Sequence, residues 1–295
     1  MNAASQWRAD LARHVAPLYA ANPHVAAVLL GGSTARGHAD RYSDIELGVF
    51  WHQPPSEPER RAIAAQIRGE LIALYPHDPS EDVWCDDLML HRQLGGSTRD
   101  SVLLEVVHYT AERMERTLDA VLVEADPDPL RQNLIAGVVQ GLPLHQPELV
   151  HHWQARAAAY PDSLVHAVVN RHAPIDHFWR WEMWLARGGN LMQVYQSFAL
   201  VQQKLLHVLL GLNRVYYFGL KWLDVVGQSL PLRPDDLVPR LNAVFRADPA
   251  HGANLLAALV EETYDLVERQ LPAIDVAWLR SIFRHRRQPC DDAPG

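Results

Sequence analysis

The sequence predicts an α+β protein: a small mixed sheet with flanking helices over residues 1–126, then an α-helical bundle over 127–295. Three observations predict it. Short apolar or alternating runs crowd into the first 110 residues, the pattern of strands. Helical periodicity takes over beyond them. Between the two lies ADPDPL (residues 125–130), Pro/Asp punctuation of the kind that separates domains. A chain of 295 residues is long enough for two modest cores.

The elements follow in order. Leu11, Val15 and Leu18 give residues 4–20 a helical apolar face, closed by Asn22-Pro23. HVAAVLL (24–30) is a short apolar run ended by Gly31-Gly32, which suits a buried strand. DIELGVF (44–50) alternates acidic and apolar residues, the period of a half-buried strand. SEPERRAIAAQIRGELIALY (56–75) opens with a Ser cap and an early Pro and is expected to run as one helix. DVWCDDLML (82–90) and SVLLEVVHY (101–109) read as two more strands, joined by a hairpin through the second GGST at 95–98. Beyond the punctuation, helices are expected over 132–140, 148–160, 162–171, 175–187, 191–210, 235–246 and 253–270.

Composition narrows the function classes. A formal net charge of −8 argues against a nucleic-acid-binding surface, which would show a basic stripe. The most apolar stretch, FALVQQKLLHVLLGL, is interrupted by Gln202, Gln203, Lys204 and His207 and is too broken to span a membrane. Cys85 and Cys290, the only cysteines, make neither a disulfide framework nor a zinc site. With no apolar leader in MNAASQWRADLARHV, a cytoplasmic protein is expected. The 16 histidines include His151-His152 and the pair His172 and His177, but neither has the spacing of a helical zinc site.

The chemistry concentrates in GGSTARGHADRYSDIEL (31–47). Asp44 and Glu46, two apart on a strand, share one face, while Ile45 and Leu47 point to a core. Two carboxylates held side by side are costly unless a cation bridges them. Hard oxygen ligands suit Mg²⁺, which leaves positions open for phosphate oxygens. Gly31 and Gly32 let a backbone N–H approach a phosphate, Ser33 adds a hydroxyl, and Arg36 adds a fixed positive charge. A D-x-E pair standing alone would more simply mark a solvated strand face.

These residues resemble the signature of the DNA polymerase β-type nucleotidyltransferase superfamily: Gly-Ser opening a loop, then D-x-D or D-x-E on the next strand. Within it they are most similar to the antibiotic nucleotidyltransferases of the kanamycin type. The matching positions are Gly32, Ser33, Arg36 and Tyr42-Ser43-Asp44-Ile45-Glu46. The resemblance implies Mg²⁺-dependent transfer of a nucleoside monophosphate, AMP from ATP, to a hydroxyl of a small aminoglycoside-like acceptor. It also implies a nucleotidyltransferase domain followed by a helical substrate-binding domain, and the kanamycin type builds its sites across a homodimer.

The superfamily's third carboxylate, a further metal ligand, is assigned to Glu105, a lone acid among Leu103, Leu104, Val106 and Val107. Asp86 and Asp87 are rivals, and a solvent-facing edge position is the plainer reading of Glu105. The kanamycin type draws its general base from the second domain, where Glu182 in HFWRWEMWLARGGN is the candidate. A surface ion pair with Arg180 or Arg187 is its structural alternative. Phe178, Trp179, Trp181 and Trp184 surround that helix; core packing accounts for most of them, and stacking on a base or sugar remains open. Lys221, one of only two lysines, is the candidate cation for the triphosphate. Two other readings stand beside this one: a protein adenylyltransferase of toxin-regulating type, and a nucleotide-binding regulator without turnover.

Overall fold

The structure is a computed structural model that describes residues 1–91, 101–188, 190–221, 223–287 and 290. The expected hairpin turn at 95–98 lies outside them. The fold is α+β. Among the described residues six strands form one sheet: β1 (Val25–Leu30), β2 (Ile45–Trp51), β3 (Gly69–Leu74), β4 (Trp84–His91), β5 (Ser101–Thr110) and β6 (Leu142–His145). Their order is β3-β4-β5-β2-β1-β6. β2 and β5 run parallel, and the other neighbours are antiparallel.

Side-chain alternation divides the sheet into two faces. Ile45, Leu47, Val49 and Trp51 of β2, Leu88 and Leu90 of β4, and Leu104 and Val106 of β5 fill one core. It is covered by α1 (Ala3–Ala20), through Ala9, Ala12, Val15 and Tyr19, and by Ile63 and Ala64 of α3 (Glu57–Ala64). α1 starts where the Asn2 side chain accepts from the Ser5 N–H, and α3 starts at a capping box of Ser56 and Glu59. Between them lies the single turn α2 (Gly32–Ala35). On the second face Phe50 packs on Trp153, ring centres 4.8 Å apart. Trp153 belongs to α6 (Pro147–Ala157), which follows α4 (Ala111–Leu122) and α5 (Pro129–Gln140).

The helix expected over 56–75 is corrected: it ends after one half, and its second half is β3. Gly69 is the physical reason. It weakens the helix, and a Cβ there would collide with the Met89 carbonyl across the β3–β4 pair. β6 and α4 were not expected from the sequence either.

The chain divides into two compact units, residues 1–124 with 128–159, and 125–127 with 160–295. Residues 128–159 therefore lie with the sheet, although their helical periodicity placed them after the expected boundary at 126. β6 explains it, because Leu142 and Pro143 extend the sheet beside Leu30 and Leu29 of β1.

The second unit is helical: α7 (Asp162–His172), α8 (Trp179–Ala186), α9 (Leu191–Leu212), α10 (Leu223–Ser229), α11 (Leu237–Arg246), α12 (Pro249–Gln270) and α13 (Val276–Arg284). Its core forms around Phe198, Leu205 and Leu209 of α9, with Leu256, Leu259 and Val260 of α12. The helix expected over 175–187 begins at Trp179, and the Phe178 N–H donates to the Phe283 carbonyl at 3.0 Å. Phe178 and Trp181 are buried in that core, and Trp184 packs against it. Among the described residues no helix is long and apolar enough to cross a membrane.

A pair of histidines is buried in the same unit. His172 and His207 stack with ring centres 4.2 Å apart, and both are buried. Burial, reinforced by the neighbouring positive charges of Arg171 and Lys204, pushes His172 down to about 3; burial pushes His207 down to about 4. Both stay neutral in the fold, whereas the unfolded chain protonates them near 6.5. Stability is then full above pH 6.5 and is lost as pH falls toward 4, by about 1.4 kcal/mol per pH unit for each histidine. The denaturant midpoint should therefore drop between pH 7 and pH 5. His207→Phe, which keeps a ring on His172, should flatten that dependence; an unchanged slope would count against buried neutral imidazoles.

Candidate active site

The candidate site is built where β1 hands over to β2. β1 ends at Leu30, and the Gly31 N–H donates to the Glu46 carbonyl at 2.8 Å, which ties the turn to β2. Gly32 has φ +61°, a left-handed conformation that side chains disfavour. A Cβ at this position would lie within 3.0 Å of the Glu46 carboxylate. The bare Cα is thus the floor on which that carboxylate rests. The turn continues as α2, which buries Ser33 and Thr34, and the Thr34 hydroxyl donates to the Asp44 carbonyl at 3.4 Å. A loop of about ten residues is expected after Ser33; one helical turn opens it, and residues 36–44 complete it outside any helix or strand.

The rest of the connection is clamped onto α1. Asn2 donates its side-chain amide to the Ala39 carbonyl at 2.9 Å, and the Ala39 N–H donates to the Ser5 hydroxyl at 3.0 Å. Buried Arg8 donates Nε to the Ser43 carbonyl at 3.0 Å, one residue before Asp44. Asp40 accepts from the Tyr42 N–H and the Ser43 hydroxyl, and these bonds hold its carboxyl below the ordinary range. The segment between Ser33 and Asp44 is therefore fixed by hydrogen bonds at both ends.

Asp44 and Glu46 emerge on the half-exposed face of β2, while Ile45 and Leu47 are buried, as the alternation requires. Parallel pairing sets Glu105 of β5 directly beside Glu46. Antiparallel pairing sets Asp87 of β4 directly beside Glu105. Adjacent strands lie about 4.8 Å apart, so the three acids form a row across the sheet. Asp44 extends it along β2. Asp86, the other rival, points to the opposite face, where it pairs with Arg60 and His108. Tyr75, just after β3, donates its hydroxyl to Asp87 at 3.1 Å, which pushes the Tyr75 phenol up.

Arg36 closes α2 and donates to the Gln140 side chain at 2.8 Å. Burial pushes its guanidinium down, and the charge of Glu46 acts in the opposite direction. Asp44 Oδ1 and Ser33 Oγ are buried with no hydrogen-bond partner among the described residues. Oxygen atoms left in this way beside a carboxylate row match the needs of a hard cation and a phosphate. Among the described residues, no three His, Cys, Asp or Glu side chains converge as a ready-made cage.

Glu182 and Lys221 belong to the second unit and are not among the side chains the sheet assembles. Glu182 pairs with Arg286 at 3.4 Å, a correction to the expected partners Arg180 and Arg187. Arg180 pairs with Asp176 instead, at 3.1 Å. Lys221 is exposed just before α10.

Sequence reasoning missed the cavity next to the row. It measures about 690 Å³ and is lined by Tyr75, His77, Glu81, Cys85, Asp87 and Glu105, among others. Burial and the nearby charge of Glu105 push the Cys85 thiol up to about 11, so it stays protonated. The signal available in the sequence was the alternation of Cys85, Asp87 and Met89 along one strand face.

No family model matches the chain, and no curated protein does. Among solved structures it is similar to a nucleotidyltransferase-like protein from Exiguobacterium sibiricum, at 12% identity over 90% of this chain and 80% of that one, with a TM-score of 0.39.

Two glycines separate the local roles. Gly32→Ala should displace the Glu46 carboxylate and weaken Mn²⁺ binding, read by paramagnetic resonance of the free ion, by about tenfold or more. Gly137→Ala, with open space around the new methyl inside α5, should leave binding unchanged and raise stability by about 0.5–1 kcal/mol. Equal effects of the two would remove the special role of Gly32.

Proposed function

We propose that the first unit transfers AMP from ATP, with Mg²⁺, to a hydroxyl of a small polar acceptor of the aminoglycoside-like kind and releases pyrophosphate. The observation that supports this most is the unpartnered Asp44 oxygen, standing with Glu46 and Glu105 behind the Gly32-Ser33 turn. Asp44, Glu46 and Glu105 would hold Mg²⁺, which when bound supplies charge neutralisation at the reacting phosphates.

The remaining work is positioning. Ser33 offers a hydroxyl without a competing partner among the described residues, so it is available to donate to a phosphate oxygen. Gly32 permits close approach of the backbone. Arg36, tied to Gln140, keeps a positive charge close to Glu46. The fixed loop between Ser33 and Asp44 limits the reorganisation needed when the nucleotide binds. The adjoining cavity carries Asp78, Glu81, Asp87 and Glu105 and no Lys or Arg among its described lining residues, a chemistry suited to a cationic, hydroxylated acceptor. For Glu182 as proton acceptor the support is the sequence resemblance alone, and for Lys221 as triphosphate cation it is the residue's place in the sequence alone.

The test is a panel of aminoglycosides, lincosamides and related sugars incubated with ATP and Mg²⁺, read by product mass and pyrophosphate release. A mass increase of one AMP is expected for at least one acceptor. Asp44→Ala and Glu46→Ala should each reduce the rate by about a hundredfold or more. Equal rates for the wild type and the double variant on every acceptor would refute the proposal.

A further inference from the structure

The strands that carry the acid row also share a polar chain on their opposite face. Trp51 of β2, His108 of β5 and Asp86 of β4 are each 0% exposed. The Trp51 indole N–H donates to His108 Nδ1 at 3.1 Å. An indole nitrogen only donates, so Nδ1 is the accepting nitrogen, and the ring proton sits on Nε2. Nε2–H then donates to Asp86 Oδ2 at 2.8 Å. Asp86 Oδ1 accepts from Arg60 of α3, which also donates to the backbone carbonyls of Tyr75 at 3.0 Å and Cys85 at 3.4 Å.

The two faces correspond strand by strand. β2 supplies Trp51 to the chain and Glu46 to the row, β5 supplies His108 and Glu105, and β4 supplies Asp86 and Asp87. Because side chains alternate, holding Asp86 inward holds Asp87 outward. Hydrogen bonds demand fixed distances and angles, which apolar contacts do not. A core of aliphatic side chains would fill the same space without the desolvation cost of a buried ion pair.

We infer that Trp51, His108, Asp86 and Arg60 are positioning residues that hold Asp87 of β4 in register beside Glu105, where it joins Asp44, Glu46 and Glu105 around the divalent cation. The inference rests on the reading of that row as a metal site. His108 is the decisive joint, since it links β2 to β4 through both of its ring nitrogens.

Two substitutions at His108 separate positioning from stability. Gln places an amide N–H close to where Nε2 donates and so keeps the bond to Asp86. Asn places a carbonyl oxygen close to Nδ1, keeps the bond from Trp51 and loses Asp86. His108→Asn strips a partner from a buried carboxylate and should lower the melting temperature more than His108→Gln, which leaves only a neutral indole N–H unpaired. Mn²⁺ affinity, read well below those temperatures by paramagnetic resonance of the free ion, should differ. His108→Asn should bind about tenfold more weakly, and His108→Gln should stay within about threefold of the wild type.

Wild-type affinity in His108→Asn, or equal losses in both variants, would overturn the inference while leaving the metal site standing. If the wild type itself binds no Mn²⁺, or binds it unchanged after Asp44→Ala, the reading of the row fails and the inference fails with it. Should His108→Asn not fold, Asp86→Asn decides. It keeps an oxygen for Arg60 but sets an amide N–H against His108 Nε2–H, is expected to weaken Mn²⁺ at least threefold, and would overturn the inference by binding as the wild type does.

Discussion

The candidate site depends on one constraint, the strict alternation of side chains along three neighbouring strands. β4, β5 and β2 each turn an acid toward the half-exposed face, and the same alternation sends Asp86, His108 and Trp51 into the core. A fully buried aspartate beside Leu88 and Leu90 is tolerable only because Arg60 and His108 meet its two oxygens. The inner and outer faces are two expressions of one register. A slip of β4 by one residue would exchange Asp86 with Asp87 and turn Leu88 and Leu90 out of the core together.

Much of this register was legible in the sequence. Ile45 and Leu47 on either side of Glu46 fixed which way the acid pair points, and the apolar setting of Glu105 marked a strand acid to set beside that pair. What local pattern could not separate was Asp86 from Asp87. The choice is made by Arg60, which lies in a helix and reaches the strand only in the folded chain. β3 was hidden because Ile63, Ile67 and Leu71 stand four apart and imitate a continuing helix. β6 was hidden because LPLH is too short for a periodic signal and contains a proline. The partner of Glu182 was equally out of reach, since Arg286 lies beyond several intervening helices in sequence.

The placement of residues 128–159 with the sheet also bears on the site. Gln140, at the end of α5, holds Arg36 at the end of α2. A segment that reads as the start of the helical half thus finishes the turn that opens at Gly32. The acid row and the turn are supported from different directions: the row from beneath by the buried polar chain, the turn from α1 and α5. Gly32 is the point where the two systems meet, with the Glu46 carboxylate lying against its Cα.

The parallel pairing of β2 with β5 has a consequence for assembly. Ile45 meets Leu104 roughly sixty positions further along the chain, whereas β3 and β4 pair as near neighbours. Closing so long a loop costs chain entropy before its contacts repay it, so this pair joins late relative to local pairings. Glu46 and Glu105 become neighbours only at that step. Their mutual repulsion therefore burdens the same event, and acidic conditions that neutralise either carboxylate would ease closure of the sheet.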